Sequence, residues 1–123
     1  MKVRSYKDLS VWQKAMRLVE ECYRVTDTFP RNEEFGLKSQ MRRAAVSIPS
    51  NVAEGNVRHS SNEYCRFLAI ALGSTAELET QIELARRLGL QSEDDADQLA
   101  QRCQEVGRML NGLRLSITNR RTP

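Results

Sequence analysis

Four basic side chains, Lys38, Arg42, Arg43 and Arg58, are the residues of this sequence whose type and spacing best suit binding chemistry. Lys38 and Arg42 are one helical turn apart and would share a face, with Arg43 turned by 100°. Arg58 and His59 follow in a polar connection. A guanidinium offers forked donors that match phosphate oxygens, so the expected ligand is a polynucleotide backbone. Between these cations, Ser47, Ser50, Asn51 and Glu54 continue a polar stripe that Arg43 begins. Such a stripe equally describes a solvated helix surface or an internal polar seam. The seven aromatics fall mostly at core or helix-end positions, so no stacking platform for bases can be read, and shape or backbone binding is what remains.

Catalytic chemistry finds less support. His59 has no carboxylate or serine at a fixed spacing, and Ser60 beside it reads as a helix cap. Glu79 and Glu83 would share a helix face, as a magnesium-dependent hydrolase of all-α type requires. Glu83 is also four residues before Arg87, the ordinary ion-pair spacing. Glycine-rich phosphate loops are absent. Cys22, Cys65 and Cys103 are far apart and odd in number, which argues against a disulfide framework and against zinc, leaving buried thiols. The sequence predicts no catalytic residue, no metal and no cofactor.

The chain has 123 residues, enough for one domain with a single core. Its charged fraction of 28% and hydrophobic fraction of 40% exclude both disorder and a membrane-spanning protein. The start MKVRSYKDLS lacks the apolar segment of a secretory signal, so a cytoplasmic protein is expected. The net charge of +3 permits nucleic acid as a partner without demanding it. That charge is uneven: residues 1–58 hold eleven Lys/Arg against seven Asp/Glu, and residues 59–123 hold eight against nine.

Periodicity supplies the elements. Leu9, Trp12, Met16, Val19 and Tyr23 form a helical stripe over 8–28, closed by Pro30, and Val11, Ala15, Leu18, Cys22 and Val25 form a second stripe beside it. A second helix is expected over 33–54 with Leu37, Met41, Ala44, Ile48 and Val52 inward and Gly55 as its terminator. Pro49 lies inside it and costs ~3 kcal/mol unless the helix bends, so one helix kinked at Pro49 is expected. Ser60 with Glu63 is a capping box for a third helix over 61–88, which Gly89 closes. Ser92 and the acids after it open a fourth over 93–118, and the tail NRRTP is expected to fray. Nothing reads as a strand. The fold class is all-α: an antiparallel up-down-up-down four-helix bundle with crossing angles near +20°.

The sextet FLAIAL at 67–72 covers the whole circumference of the third helix, and the first helix carries two apolar stripes. A helix apolar all round is usually buried all round. The excess predicts self-association through Val11, Ala15, Leu18, Phe67, Ala69, Ile70 and Leu72, as a ring or a two-fold dimer.

The phrases LSVWQKAM, GLKSQMRRAAVSIPSNVAEG and SSNEYCRFLAIALGSTAELETQIELARRLG resemble the small S23-like proteins encoded in intervening sequences of bacterial 23S ribosomal RNA genes. The accessory variability determinant of diversity-generating retroelements is similar too. The resemblance implies a left-handed bundle assembled as a homopentameric ring. For the retroelement relatives it implies a basic surface that binds nucleic acid and a reverse transcriptase. By position, Arg42 and Arg43 match the family's basic pair, and Ser50, Asn51 and Glu54 its polar motif. Two readings stay open: an oligomeric accessory module that binds structured RNA or DNA, and an oligomeric protein-interaction scaffold whose arginines form salt bridges.

Overall fold

The structure, a computed structural model, describes residues 5–121. Among them there are four long helices and no strand: α1 (Ser10–Thr26), α2 (Leu37–Asn56), α3 (Ser61–Arg87) and α4 (Glu93–Arg121), with short 3-10 turns at Tyr6–Asp8 and Arg31–Glu33. Helices α1 and α3 each pack against both α2 and α4 around one core. The first four residues of the MKVRSYKDLS stretch, and Thr122 and Pro123 of the tail expected to fray, lie outside the described residues.

Two of the helix starts are capped as the sequence predicts. The Ser60 hydroxyl accepts from the Glu63 amide at 3.2 Å, and the Ser92 hydroxyl accepts from the Asp95 amide at 3.0 Å. Each satisfies an amide that has no partner within its helix. Gly89, at φ 72°, closes α3. The Leu90 amide reaches the Ala85 carbonyl and the Gly89 amide reaches Arg86, the paired bonds of a Schellman motif.

The start of α2 is later than the periodicity suggests. Glu33 is outside the helix, and its carboxylate folds back to accept from the Leu37 amide at 3.0 Å. The acid that would suit the first turn thus serves as a cap from the preceding turn. At the other end α4 runs on through Arg121, beyond the expected stop near 118. Helix α2 continues through Pro49 as one element, and Pro49 is buried.

The two stripes of α1 exchange the roles that their bulk suggests. Val11, Ala15, Leu18, Cys22 and Val25 form the core, while Trp12 and Val19 are half-buried and Met16 and Tyr23 exposed. Helices pack ~8–10 Å apart, and a centre of Ala, Val and Cys permits that approach where Trp and Tyr would wedge it open. The amphipathic aromatics sit better at the edge, half in water.

Gly55 is likewise not a terminator. It is buried within α2, at a close approach to α3. A Cβ added there would lie 2.8 Å from the Phe67 Cβ and 3.1 Å from the Tyr64 ring. Glycine is required by the neighbouring helix, whose backbone cannot yield cheaply.

Gly55→Ala therefore tests the joint between α2 and α3. Relief of the glycine's helix penalty adds up to ~1 kcal/mol, but overpacking costs ~1–3 kcal/mol. The net expected outcome is a loss of about 1–2 kcal/mol in denaturant unfolding. A stabilised Gly55→Ala variant would show that the two helices separate freely.

Candidate functional site

Of the four predicted cations, only Arg43 is exposed without a carboxylate partner among the described residues. Lys38 donates from Nζ to Glu34 Oε1 at 2.9 Å, and its side chain is mostly covered. Arg58 pairs with Glu54 Oε1 at 3.0 Å and lies over the Phe67 ring. Arg58 is also some sixteen residues along from Arg42, ~24 Å at helical rise, so the set does not converge on one site.

Arg42 is bound most firmly. Its Nε donates to Thr26 Oγ1 at 2.9 Å and an Nη donates to the Tyr23 carbonyl at 3.2 Å. Its guanidinium carbon sits 4.2 Å from the centre of the Tyr23 ring. The Thr26 hydroxyl in turn donates to the Cys22 carbonyl at 2.7 Å. Arg42 thus closes the C-terminus of α1, where unpaired carbonyls and the helix dipole favour a cation. A side chain engaged on its own chain in this way has little left to offer a phosphate.

The polar motif divides as well. The Ser47 hydroxyl shares a 2.7 Å hydrogen bond with Ser74 Oγ on α3, and the Asn51 amide donates to the Ser47 carbonyl at 2.8 Å. These two residues form a seam between α2 and α3. Ser50 is exposed, and Glu54 serves Arg58. Pro49 takes the helical donor from the Ala45 carbonyl, whereas the Asn51 amide bonds the Ser47 carbonyl and so steadies the same turn without replacing that bond.

The apolar positions need a correction. Val11, Ala15 and Leu18 lie within the chain's own core, and Phe67 closes over the α2 joint, so none of the four is available to a second copy. Of FLAIAL, Leu68 and Ala71 are also buried and Leu72 is half-buried, leaving Ala69 and Ile70 exposed. The sextet circles the helix, but Gly55 lets α2 cover more of that circumference than an ordinary neighbour would.

The apolar surface that remains is elsewhere. Tyr6, Trp12, Met16 and Val19 face Val46, Pro49 and Ala53 across a groove of about 310 Å³ between α1 and α2. Tyr6 meets Trp12 edge to face at 5.6 Å and closes one end. At the other end, Val46 is shared with a second hollow lined by Tyr23, Phe35, Arg42 and Arg43. Phe35 is 94% exposed. The signal for this groove lies in the first α1 stripe, which periodicity alone turns inward.

Glu83 and Glu79 are not a metal pair: Glu83 accepts from both Arg86 and Arg87. Those hydrogen bonds, from Arg86 first and then Arg87, hold its carboxyl at about 2, below its ordinary 4.5. Among the described residues, no group of three or more His, Cys, Asp or Glu side chains is placed to hold a metal ion. Cys22 and Cys103 are buried and Cys65 half-buried, all as free thiols. Burial pushes the Cys22 thiol up to about 11, despite the opposing charge of Arg42, and raises Cys103 as well. Neither is a nucleophile at neutral pH. No helix among the described residues is long and apolar enough to cross a membrane.

Four long helices with a polar α2–α3 seam and a capped α1 terminus define an all-helical bundle of small size. The chain matches the 23S rRNA-intervening sequence proteins over residues 7–112, and it belongs to that family. Its structure is similar to the 1.70 Å crystal structure of a protein of unknown function from the S23 ribosomal protein family of Bacteroides thetaiotaomicron VPI-5482. The TM-score is 0.79 at 21% identity, with 85% of this chain and 97% of that chain covered. At that identity the likeness concerns the fold. No curated protein matches the chain.

Two measurements check these assignments. Arg42→Ala is expected to lower unfolding free energy by ~2 kcal/mol, because hydrogen bonds to a charged group are worth ~1.5–3 kcal/mol. Arg43→Ala should stay within ~0.5 kcal/mol. For Glu83, a carboxyl held low in the folded state contributes stability above its unfolded value, and that contribution is lost as pH falls from 4.5 toward 2. Thermal scans across that window should show wild type losing stability relative to Glu83→Gln; parallel curves would remove the pairing from the balance.

Proposed function

We propose that this protein is a non-enzymatic helical module that works by assembling with copies of itself, as a protein-interaction scaffold. The observation that carries this reading is the apolar groove between α1 and α2, where Met16 and Val46 remain about 40% exposed beside Trp12, Val19 and Pro49. A groove with this apolar and aromatic lining favours a protein partner. The family resemblance favours a closed ring of five copies. The bundle is read as up-down-up-down: α2 meets α3 at Ser47–Ser74 and Gly55–Phe67, and α4 meets α1 at Lys14–Glu105 and Arg24–Asp95, each pair running in opposite senses. A bend of α2 at Pro49 belongs to the same reading, since the proline leaves a carbonyl without its helical donor.

The arginines favour the scaffold over the phosphate surface, because Lys38, Arg42 and Arg58 are engaged within the chain. One observation keeps nucleic acid as a second reading. Arg43 is exposed beside the groove with no carboxylate partner among the described residues, and repetition around an assembly would multiply it.

Light scattering tests the first reading. Wild type is expected at a multiple of 14.1 kDa, and Val46→Glu should yield a single species of 14.1 kDa with its helical circular dichroism intact. Wild type running as a stable monomer would end the proposal. For the second reading, anisotropy with structured RNA should weaken on Arg43→Glu, and the salt slope should fall by about one for each phosphate that a subunit no longer neutralises. Arg42 is unsuitable for that test, since its removal would also loosen the α1 terminus.

A further inference from the structure

The joint between α1 and α4 is built as a ladder of facing side chains, and one rung carries two cations. Lys14 pairs with Glu105 at 3.6 Å, and Arg24 pairs with Asp95 at 3.1 Å. Those two ion pairs fix the register of helices running in opposite senses. Along α1 the stripe is Lys14, Arg17, Glu21, Arg24; along α4 it is Glu105, Arg102, Gln98, Asp95. Steps of three, four and three residues keep each stripe on one face. Arg17 therefore stands opposite Arg102, and Glu21 opposite Gln98.

Like charges facing across a joint repel. Neither Arg17 nor Arg102 has a hydrogen bond or a carboxylate partner among the described residues. Of the acids one turn away, Glu105 pairs with Lys14 and Glu21 with Arg24, while Glu20 is exposed and pairs with neither arginine among the described residues. Arg17 is exposed and Arg102 half-buried, so the pair opens to solvent. Arg102 also lines a shallow hollow of about 440 Å³ on α4 with Gln98, Gln101, Gln104, Glu105 and Arg108, which sets neutral amide donors beside its guanidinium group and one carboxylate, already paired with Lys14, at the edge.

We propose that the Arg17–Arg102 rung binds an oxyanion of the phosphate type, bridging α1 and α4. Two guanidinium forks present parallel N–H donors that match tetrahedral oxyanions, and one bound dianion cancels the repulsion across the rung. The proposal is independent of the α1–α2 groove, which lies on the opposite flank of α1. The chemistry is shared by free phosphate and by the phosphodiester of a nucleic acid.

The test is thermal unfolding of the full chain in phosphate against chloride at matched ionic strength. Phosphate about tenfold above its Kd should raise the wild-type Tm by roughly 4 °C or more over chloride. Arg17→Gln and Arg102→Gln should each abolish that difference, while Arg31→Gln, an exposed arginine outside the ladder, retains it. In chloride alone the two rung variants should match or exceed wild type, since each relieves repulsion; a structural salt bridge would give the opposite sign. Equal Tm values for wild type in phosphate and chloride overturn the site, as do rung variants that respond to phosphate like wild type. A labelled oligonucleotide then separates the sources. Binding that weakens in both rung variants and is displaced by phosphate assigns the site to a polynucleotide backbone; phosphate stabilisation without oligonucleotide binding assigns it to free phosphate. The groove variant Val46→Glu should keep the phosphate response, so loss of assembly and loss of the anion site remain distinguishable.

Discussion

The close approach of α2 to α3 governs much of what the rest of the molecule exposes. Gly55 has no side chain to hold the helices apart, and Phe67 occupies the space that a Cβ would need. With the backbones that near, Ser47 and Ser74 come within hydrogen-bonding distance at mid-length, and Phe67 is removed from water at the helix end. The consequence reaches α3 as a whole. A helix whose sequence is apolar around its circumference at FLAIAL ends with only Ala69 and Ile70 exposed. The joint also spans the turn of α2 that carries Pro49. Pro49 turns toward α1 and the groove, while the opposite side of the same turn is secured by Asn51, Ser47 and Ser74.

Electrostatics in this bundle serve mostly local order. Arg24, Arg58, Arg66, Arg86 and Arg87 each meet a glutamate three or four residues away. Exposed pairs of that kind are worth little singly, about 0–1 kcal/mol, and fade with salt. Arg42 differs in kind, because it bonds to backbone of another helix and stacks on Tyr23. It couples the end of α1 to the start of α2 across the turn that contains Pro30. A formal charge of +3 therefore overstates the freely available field at some places and understates it at others. What matters is which cations lack a partner, and within the basic stretch of Lys38, Arg42 and Arg43 that is Arg43 alone.

The sequence is most legible where the signal is local. Ser60, Ser92 and Gly89 act through atoms within a few residues, so type and spacing suffice to place the ends of α3 and the start of α4. On α3, Leu68, Ala71, Thr75, Leu78, Ile82 and Ala85, and on α4, Ala96, Leu99, Cys103, Val106 and Leu110, recur in steps of three and four and are all buried. Legibility fails wherever the deciding interaction is tertiary. Gly55 looks the same in sequence whether it ends a helix or admits a neighbour. The two stripes of α1 have similar hydrophobicity, and bulk against a partner's surface decides which is central. Arg42 and Arg43 are adjacent letters of one type, yet the 100° between them sends one to the α1 carbonyls and leaves the other in water. Glu33 falls inside the helical span that periodicity suggests, because its fold-back to Leu37 depends on a turn that no period predicts.

Function in such a fold is set by what the core leaves over. Covering the small stripe of α1 turns Trp12, Met16 and Val19 outward, and burying Pro49 aligns Val46 and Ala53 beside them. The apolar groove is thus a direct product of the packing that gives the bundle its stability. Filling it with a second copy would remove its exposed surface from water without repacking the core, at ~25 cal/mol per Å² of apolar area. The same logic holds for charge: arginines that cap, stack or pair are fixed by the fold, and only those facing no acid retain the freedom to recognise anything outside the chain.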